Sequence, residues 1–453
     1  MRLTVYFLCF LLSGLPELLY AATRYVDSTA GACSGNYSIT NRNCTGSDGT
    51  SYATISTGLA ATTTAGDNLW IRSGTYTATV TSTDYTAGGT SFSVPITIGG
   101  CPASVCGSAE YPVINTTASQ VLNLTNANNK YTIMTRIVLD GVNQSSADSN
   151  AQWVRWTADH IRFDDVEVKN AKFHAVACIA GADGSEFINS RNHDNGNYVV
   201  GDNLGNALYW SCDSGLIEGN TFYNNDYASV WFNPGSDNIF RKNITRDQRW
   251  WVNFSGSRNL IYNNIVHDLT GVAASISYDC SPHSAPCSYG NKIYNNTIYN
   301  QPSIGIEIGS FFGADSNEIK NNVMVCTAGT VVPVKIYGSD DDNNVITYNR
   351  WEGCGAISDS GTGTTASNNT TGASGFTNAA GDDFTLTSGS TLRDAGTDLS
   401  ATLTTDYAGV ARPQNGTFDI GAYEYIVSQG GGGGGMSETP SWSSPRRSPL
   451  WRR

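Results

Sequence analysis

The sequence predicts an all-β fold, a single-stranded right-handed parallel β-helix (a β-solenoid), and two observations carry that prediction. The first is a repeated phrase, an apolar residue followed two positions on by variable residues and then an asparagine. It starts at Ile217, Phe240, Ile261, Ile293, Ile319 and Ile346 and ends on Asn220, Asn243, Asn264, Asn296, Asn322 and Asn349. The asparagines are 23, 21, 32, 26 and 27 residues apart, the spacing of a stacked array. Weaker copies end on Ser190 and Asp164. The second is what a repeat contains: β-branched and aromatic residues between Gly and Asn, with no long run of helical apolar spacing. About two dozen residues hold two or three strands but no core, so burial has to come from stacking coil on coil. Parallel crossover connections then set the right hand. At a bend between strands, each repeated asparagine is placed to bond its counterpart one coil away, a structural ladder rather than a catalytic row.

Along the chain, residues 1–22 read as a secretory signal: Arg2 supplies the charge, Leu3 to Leu15 the apolar stretch, and Tyr20, Ala21 and Ala22 the exit. No later segment is long and apolar enough to span a bilayer. Residues 23–130 form an amino-terminal cap and the first coils, 131–357 the asparagine-marked coils, and 358–427 a closing segment. Residues 428–453 are a glycine run and a tail rich in Ser, Pro and Arg that cannot build a core. Secretion, or display at the cell surface, is therefore expected.

Past the signal the chain carries ten cysteines, an even number that reads in an exported protein as disulfides. Cys178 with Cys212 and Cys326 with Cys354 fall on neighbouring coils. Cys101 with Cys106 and Cys280 with Cys287 would close small loops, and Cys33 with Cys44 would staple the amino-terminal region; connectivity stays open at this level. Only 14% of residues are charged and the formal net charge is −13, which disfavours nucleic acid as a partner. A polyanionic substrate then requires a local basic patch or a bound cation.

Three separated stretches resemble exported right-handed parallel β-helix proteins of the pectate-lyase-like superfamily. They are Arg24 to Asp27 with Ala65 to Tyr76, then Asn206 to Trp210 with Gly215 to Asn220, and finally Arg412-Pro413 with the DIGAYE closing phrase from Asp419 to Glu424. The resemblance implies export, this fold, and one of several activities on polysaccharides: lyase, hydrolase, epimerase or binding. Where the family pattern leads one to expect a histidine ahead of the second stretch, this chain has Asn206.

Strand side chains alternate between faces. If Leu208, Val230, Val252, Ile276, Ile306 and Val334 point inward, the outward column is Tyr209, Trp231, Asn253, Ser277, Glu307 and Lys335. Asn233, Trp251, Asp279 and Tyr337 share its face. Aromatics cover sugar rings and polar groups bond hydroxyls or carboxylates, so Tyr209, Trp231, Asn233, Trp251, Asn253 and Tyr337 are the expected substrate-binding residues. For a lyase, Lys335 is the candidate base, and Asp279 with Glu307 the candidate Ca2+ ligands. For a hydrolase the same two carboxylates are the acid and base. His193 is a further acid–base candidate. Arg241, Lys242 and Arg246 form a basic cluster, and Asp340, Asp341 and Asp342 an acidic turn. The leading expectation is a monomeric polysaccharide lyase on an extracellular acidic glycan, with possible use of Ca2+. The competing one is a non-catalytic surface protein binding glycan, or a partner chain, through the outward aromatics.

Overall fold

A computed structural model describes residues 21–145, 152–196, 205–276 and 288–426. Three long sheets, of 14, 12 and 11 strands, run the length of the molecule, and every pairing within them is parallel. One coil shows how the chain is wound. Leu216–Glu218 lies in the first sheet, Thr221–Tyr223 in the second and Ala228–Phe232 in the third, and Ile239–Arg241 re-enters the first beside its starting point. This is the predicted right-handed parallel β-helix. Its interior is a set of apolar ladders. In the first sheet Phe163, Phe187, Ile217, Phe240, Ile261, Ile293, Ile319 and Ile346 pair in register, and all are fully buried.

The asparagine phrase marks the corner between the first and second sheets. Each Nδ2 donates to the Oδ1 of the next coil, from Asn220 through Asn243, Asn264, Asn296, Asn322 and Asn349 to Asn369, at 2.9–3.1 Å. A second ladder, absent from the sequence reading, runs at the corner between the third and first sheets through Asn238, Asn259, Asn291, Asn317 and Asn344. Both ladders satisfy buried backbone groups where the strands bend and cannot pair. Upstream, Ser190 holds the ladder position, but Asp164 does not. Asp164 pairs with Ile188, and the residue whose N–H meets Ser190 Oγ is Val166.

The helix Ile55–Ala61 lies at the amino-terminal end and buries Ile55 and Leu59, with Val26 and Leu69 in the same apolar cluster. At the other end the closing segment folds back along the outer faces of the first and second sheets. Leu403 and Phe418 pack on Tyr262 and Tyr294, and Phe384 and Ala422 pack on Ile265. The residue before three of the ladder asparagines grips this segment. Asn263, Asn295 and Asn321 adopt left-handed φ of 53°, 50° and 55°, which Asn tolerates better than most residues. Their amides donate to the carbonyls of Thr405, Asp419 and Thr397. Buried Arg412 bonds Glu424 at 2.6 Å and the carbonyl of Gly421 at 2.7 Å. The family-like closing phrase is thus the inner lining of the clasp.

Disulfides join Cys33 to Cys44, Cys101 to Cys106, Cys178 to Cys212 and Cys326 to Cys354, among them both pairs that the coil register suggested. Cys280, Cys287, Ser277, Asp279, the signal residues up to Tyr20, and the glycine-rich tail lie outside the described residues. Among the described residues no helix is long and apolar enough to cross a membrane.

Candidate functional site

The third sheet is the one long face on which no apolar cluster, among the described residues, seats the closing segment. Its strands are short, three to five residues in this region, and their alternation sends one row of side chains outward. The row reads Tyr209, Trp231, Asn253, Ser275, Glu307 and Lys335, each in register with the next. Five of these are the residues expected from sequence. The sixth, Ser277, gives way to Ser275, because Ala274 rather than Ile276 pairs with Val252. The slip is two residues and so keeps the face.

The middle of the row is less open than a bare groove. Trp231 is 6% exposed and Glu307 7%, while Asn253 and Ser275 are fully buried. Trp231 belongs to no core cluster. Its indole Nε1 lies 3.3 Å from Ser255 Oγ on the next strand, so the ring reaches past Asn253. Tyr209 meets it edge-on at 5.5 Å and stacks on His174 at 5.0 Å, and its hydroxyl accepts from Asn233 Nδ2 at 3.2 Å. Among the described residues neither polar atom of the Asn253 amide has a hydrogen-bond partner, and burying such a group unpaired is costly.

At the other end of the row the polar groups converge. Tyr337 donates its hydroxyl to Glu307 Oε1 at 2.7 Å, and Ser275 Oγ lies 3.3 Å from Glu307 Oε2. Burial, and then the neighbouring Glu307, push the Tyr337 phenol well above its ordinary range, so it stays protonated and donates. Lys335 Nζ sits 4.0 Å from the centre of the Tyr337 ring, an ammonium–ring contact. Both oxygens of Glu307 are therefore engaged, and among the described residues no second carboxylate joins it in a metal-binding group. The described half of the expected Ca2+ pair does not form a site by itself, and no step is derived through an ion.

Several expected site residues lie elsewhere. Trp251 is not on the outward face; it is fully buried in the core against Phe240 at 6.3 Å. Its position opens the strand at the corner, where alternation breaks. The corresponding Ser229 and Ala273 are likewise fully buried. His193 lies on the second sheet, away from the row. It stacks on Tyr223 at 4.4 Å and sits 2.7 Å from Asp194 and 3.5 Å from Glu167. The His193 contact is the leading cause holding the Glu167 carboxyl well below the usual carboxylate range. Of the basic cluster, Arg241 pairs with Glu218 and Arg246 with Asp247. Asp341 accepts the N–H groups of Ala314 and Gly338, which makes it a turn residue.

The sequence reading missed the amino-terminal continuation of the row. Upstream of Tyr209 it runs through Ala177 and Arg155 to Asn123. The signal was present: Val154, Arg155 and Trp156 repeat the apolar–outward–Trp pattern of Leu208, Tyr209 and Trp210. It also missed His174, whose Nδ1 faces the backbone N–H of Asn206 at 3.3 Å. Burial drives its pKa down to about 3. His174 and Asn206 thus hold equivalent positions on neighbouring coils.

No protein-family profile matches the sequence, and no curated protein matches it. Solved structures do match. One is pectate lyase Pel9A, at 14% identity and TM-score 0.58, covering 89% of this chain and 96% of that one. XylC in complex with xylose aligns at 9% identity and TM-score 0.53, covering 88% and 98%. PfbA, a surface adhesin of Streptococcus pneumoniae, aligns at 12% and TM-score 0.52, covering 68% and 85%. At these identities the likeness is one of fold.

Proposed function

We propose that this chain is an exported carbohydrate-active protein that cleaves an acidic polysaccharide by β-elimination on the outer row of its third sheet. The observation that carries the reading is the register of that row. Aromatic Tyr209 and Trp231 stand at one end and the Glu307, Tyr337 and Lys335 cluster at the other, on successive strands of one face. Parallel strands step by about 4.8 Å, so the row spans an extended chain of sugars, with binding and chemistry separated along it. The fold of pectate lyase Pel9A supports the same substrate class.

In the proposed reaction Lys335 Nζ takes the proton from C5 of a uronate. The electron pair forms the C4–C5 double bond, the C4–oxygen bond to the leaving sugar breaks, and that oxygen takes a proton. Tyr337, kept protonated beside Glu307, is the proton donor proposed for the leaving oxygen. Glu307 orients Tyr337. Incubation with pectate, alginate and glycosaminoglycans, with and without added Ca2+, tests the reading. A lyase generates the ultraviolet absorbance of an unsaturated uronate; new reducing ends without it indicate a hydrolase.

A second reading is a glycan-binding surface protein. It is supported by the fold shared with the adhesin PfbA. Binding to the same panel with neither product signal would favour it.

A further inference from the structure

Resting on the reading of the third sheet as a glycan-binding face, we propose that Arg155 and Asn123 form a second, anion-reading subsite at its amino-terminal end. Its ligand class is the carboxylate or sulfate group of an acidic sugar. Arg155 is half-buried on the strand Val154–Trp156, in register with Asn123 on one side and Ala177 on the other. Among the described residues its buried Nε has no hydrogen-bond acceptor, and neither has the buried Oδ1 of Asn123 a donor. Among the described residues Arg155 takes part in no ion pair and lies over no aromatic ring. Ala177 offers only a methyl group. Beyond Asn123 the row reaches Thr81, whose hydroxyl donates to Asp84.

An arginine is planar, permanently charged and built to hold two oxygens at once. Leaving one half-buried and unpaired beside an amide that also lacks a partner is unfavourable for folding. Two half-buried arginines of the first sheet are paired, Arg162 with Glu186 at 2.6 Å and Arg241 with Glu218 at 2.8 Å. What Arg155 and Asn123 lack, an anion flanked by hydroxyls supplies. The subsite lies three strands from Trp231 and seven from Lys335, about 14 Å and about 34 Å at parallel-strand spacing. It therefore binds a part of the polymer remote from the chemistry. It also supplies the local positive charge that a net charge of −13 otherwise denies to an acidic glycan.

The test is calorimetric titration of the full chain, Arg155→Gln, Asn123→Ala and Trp231→Ala. The probes are an oligogalacturonate, its carboxyl-reduced neutral form, a sulfated oligosaccharide and inorganic sulfate. Arg155→Gln should weaken the anionic oligosaccharide about 10- to 100-fold and leave the neutral one unchanged, whereas Trp231→Ala should weaken both. The preferred anion, carboxylate or sulfate, follows from which charged probe responds more. Arg155→Gln should also leave the melting temperature unchanged or raised, since no partner is lost; a fall would assign Arg155 to the scaffold and overturn the subsite. Oligosaccharide binding that depends on Trp231 but not on Arg155 overturns the subsite and spares the glycan reading. Sulfate binding that depends on Arg155, without any oligosaccharide binding, does the reverse. Binding of none of the four probes by the full chain overturns both.

Discussion

Truncating one rung of the corner ladder, Asn264→Ala, should unfasten the coil before it and leave its own backbone amide bonded. Asn264 Oδ1 accepts the backbone N–H of Asn243 at 2.9 Å and its Nδ2 at 3.1 Å. Asn264 Nδ2 donates to the carbonyls of Phe240 and Tyr262 at 3.0 and 3.1 Å and to Asn296 Oδ1 at 2.9 Å. The N–H of Asn264 itself is held by Asn296 Oδ1 at 3.0 Å, which the substitution does not touch. Orphaning the fully buried Asn243 N–H costs about 1–3 kcal/mol, and the remaining side-chain bonds about 0.5–1.5 kcal/mol each, for a loss of about 3 kcal/mol or more. In a solenoid that loss is felt first by the neighbouring coils. Hydrogen exchange is the direct assay. Protection of the Asn243 amide should fall about 100-fold or more, while Asn264 changes much less. Asn264→Asp separates the terms, because it keeps the acceptor for Asn243 but sets a carboxylate against the carbonyls of Phe240 and Tyr262. If Asn243 stays protected in the alanine variant, or Asn264 loses protection first, the direction assigned to the ladder is wrong.

Trp231→Ala should weaken glycan binding while costing far less stability than Trp251→Ala, for which a core tryptophan predicts about 3–5 kcal/mol; denaturant midpoints compare the two. Lys335→Ala should abolish turnover with binding largely kept, and Glu307→Gln should lower kcat more than it raises KM, both read from initial rates on the active glycan. His174 should make the protein acid-sensitive. Its pKa is lowered by burial to about 3, so between the ordinary histidine range and that value the unfolded chain binds a proton that the native one does not. Stability then falls as pH drops below about 6.5, by about 2 kcal/mol at pH 5. Urea midpoints at pH 7 and pH 5 measure the fall, and His174→Gln should flatten it. Mass mapping without reduction should recover Cys178 linked to Cys212 and Cys326 linked to Cys354.

The fold was legible because a coil corner constrains sequence more tightly than a strand does. A bend whose buried amides must be met from one coil to the next selects asparagine, and the repetition exposes it. The row was legible for a related reason, since alternation by two survives even the slip from Ser277 to Ser275. Corners defeat the same rule. Trp251 was read by alternation, but it sits where the chain turns into the third sheet and its side chain goes inward. His193 was read by its nearness in sequence to the Asn206 stretch, yet one bend separates them onto different faces. Arg155 was missed because the search began at the asparagine phrases, and its coil has valine at the ladder position. The hydrogen-bond deficits of Asn123, Arg155 and Asn253 are three-dimensional facts with no signature in the sequence.

The doubled asparagines have a consequence for how the molecule is made. Asn263, Asn295 and Asn321 meet carbonyls that lie 142, 124 and 76 residues further along the chain. Coils can stack in order as the polypeptide emerges, each needing only the one before it. The closing segment can bind only after these three coils have reached their relative heights. It is the last part of the fold to be synthesised and, by loop-closure cost, among the last to form. A chain that has skipped a register, or lost a coil, presents the three amides at the wrong spacing and leaves the segment undocked. The clasp thus works as a gauge of register, checking the spacing of three successive coils before the fold is closed.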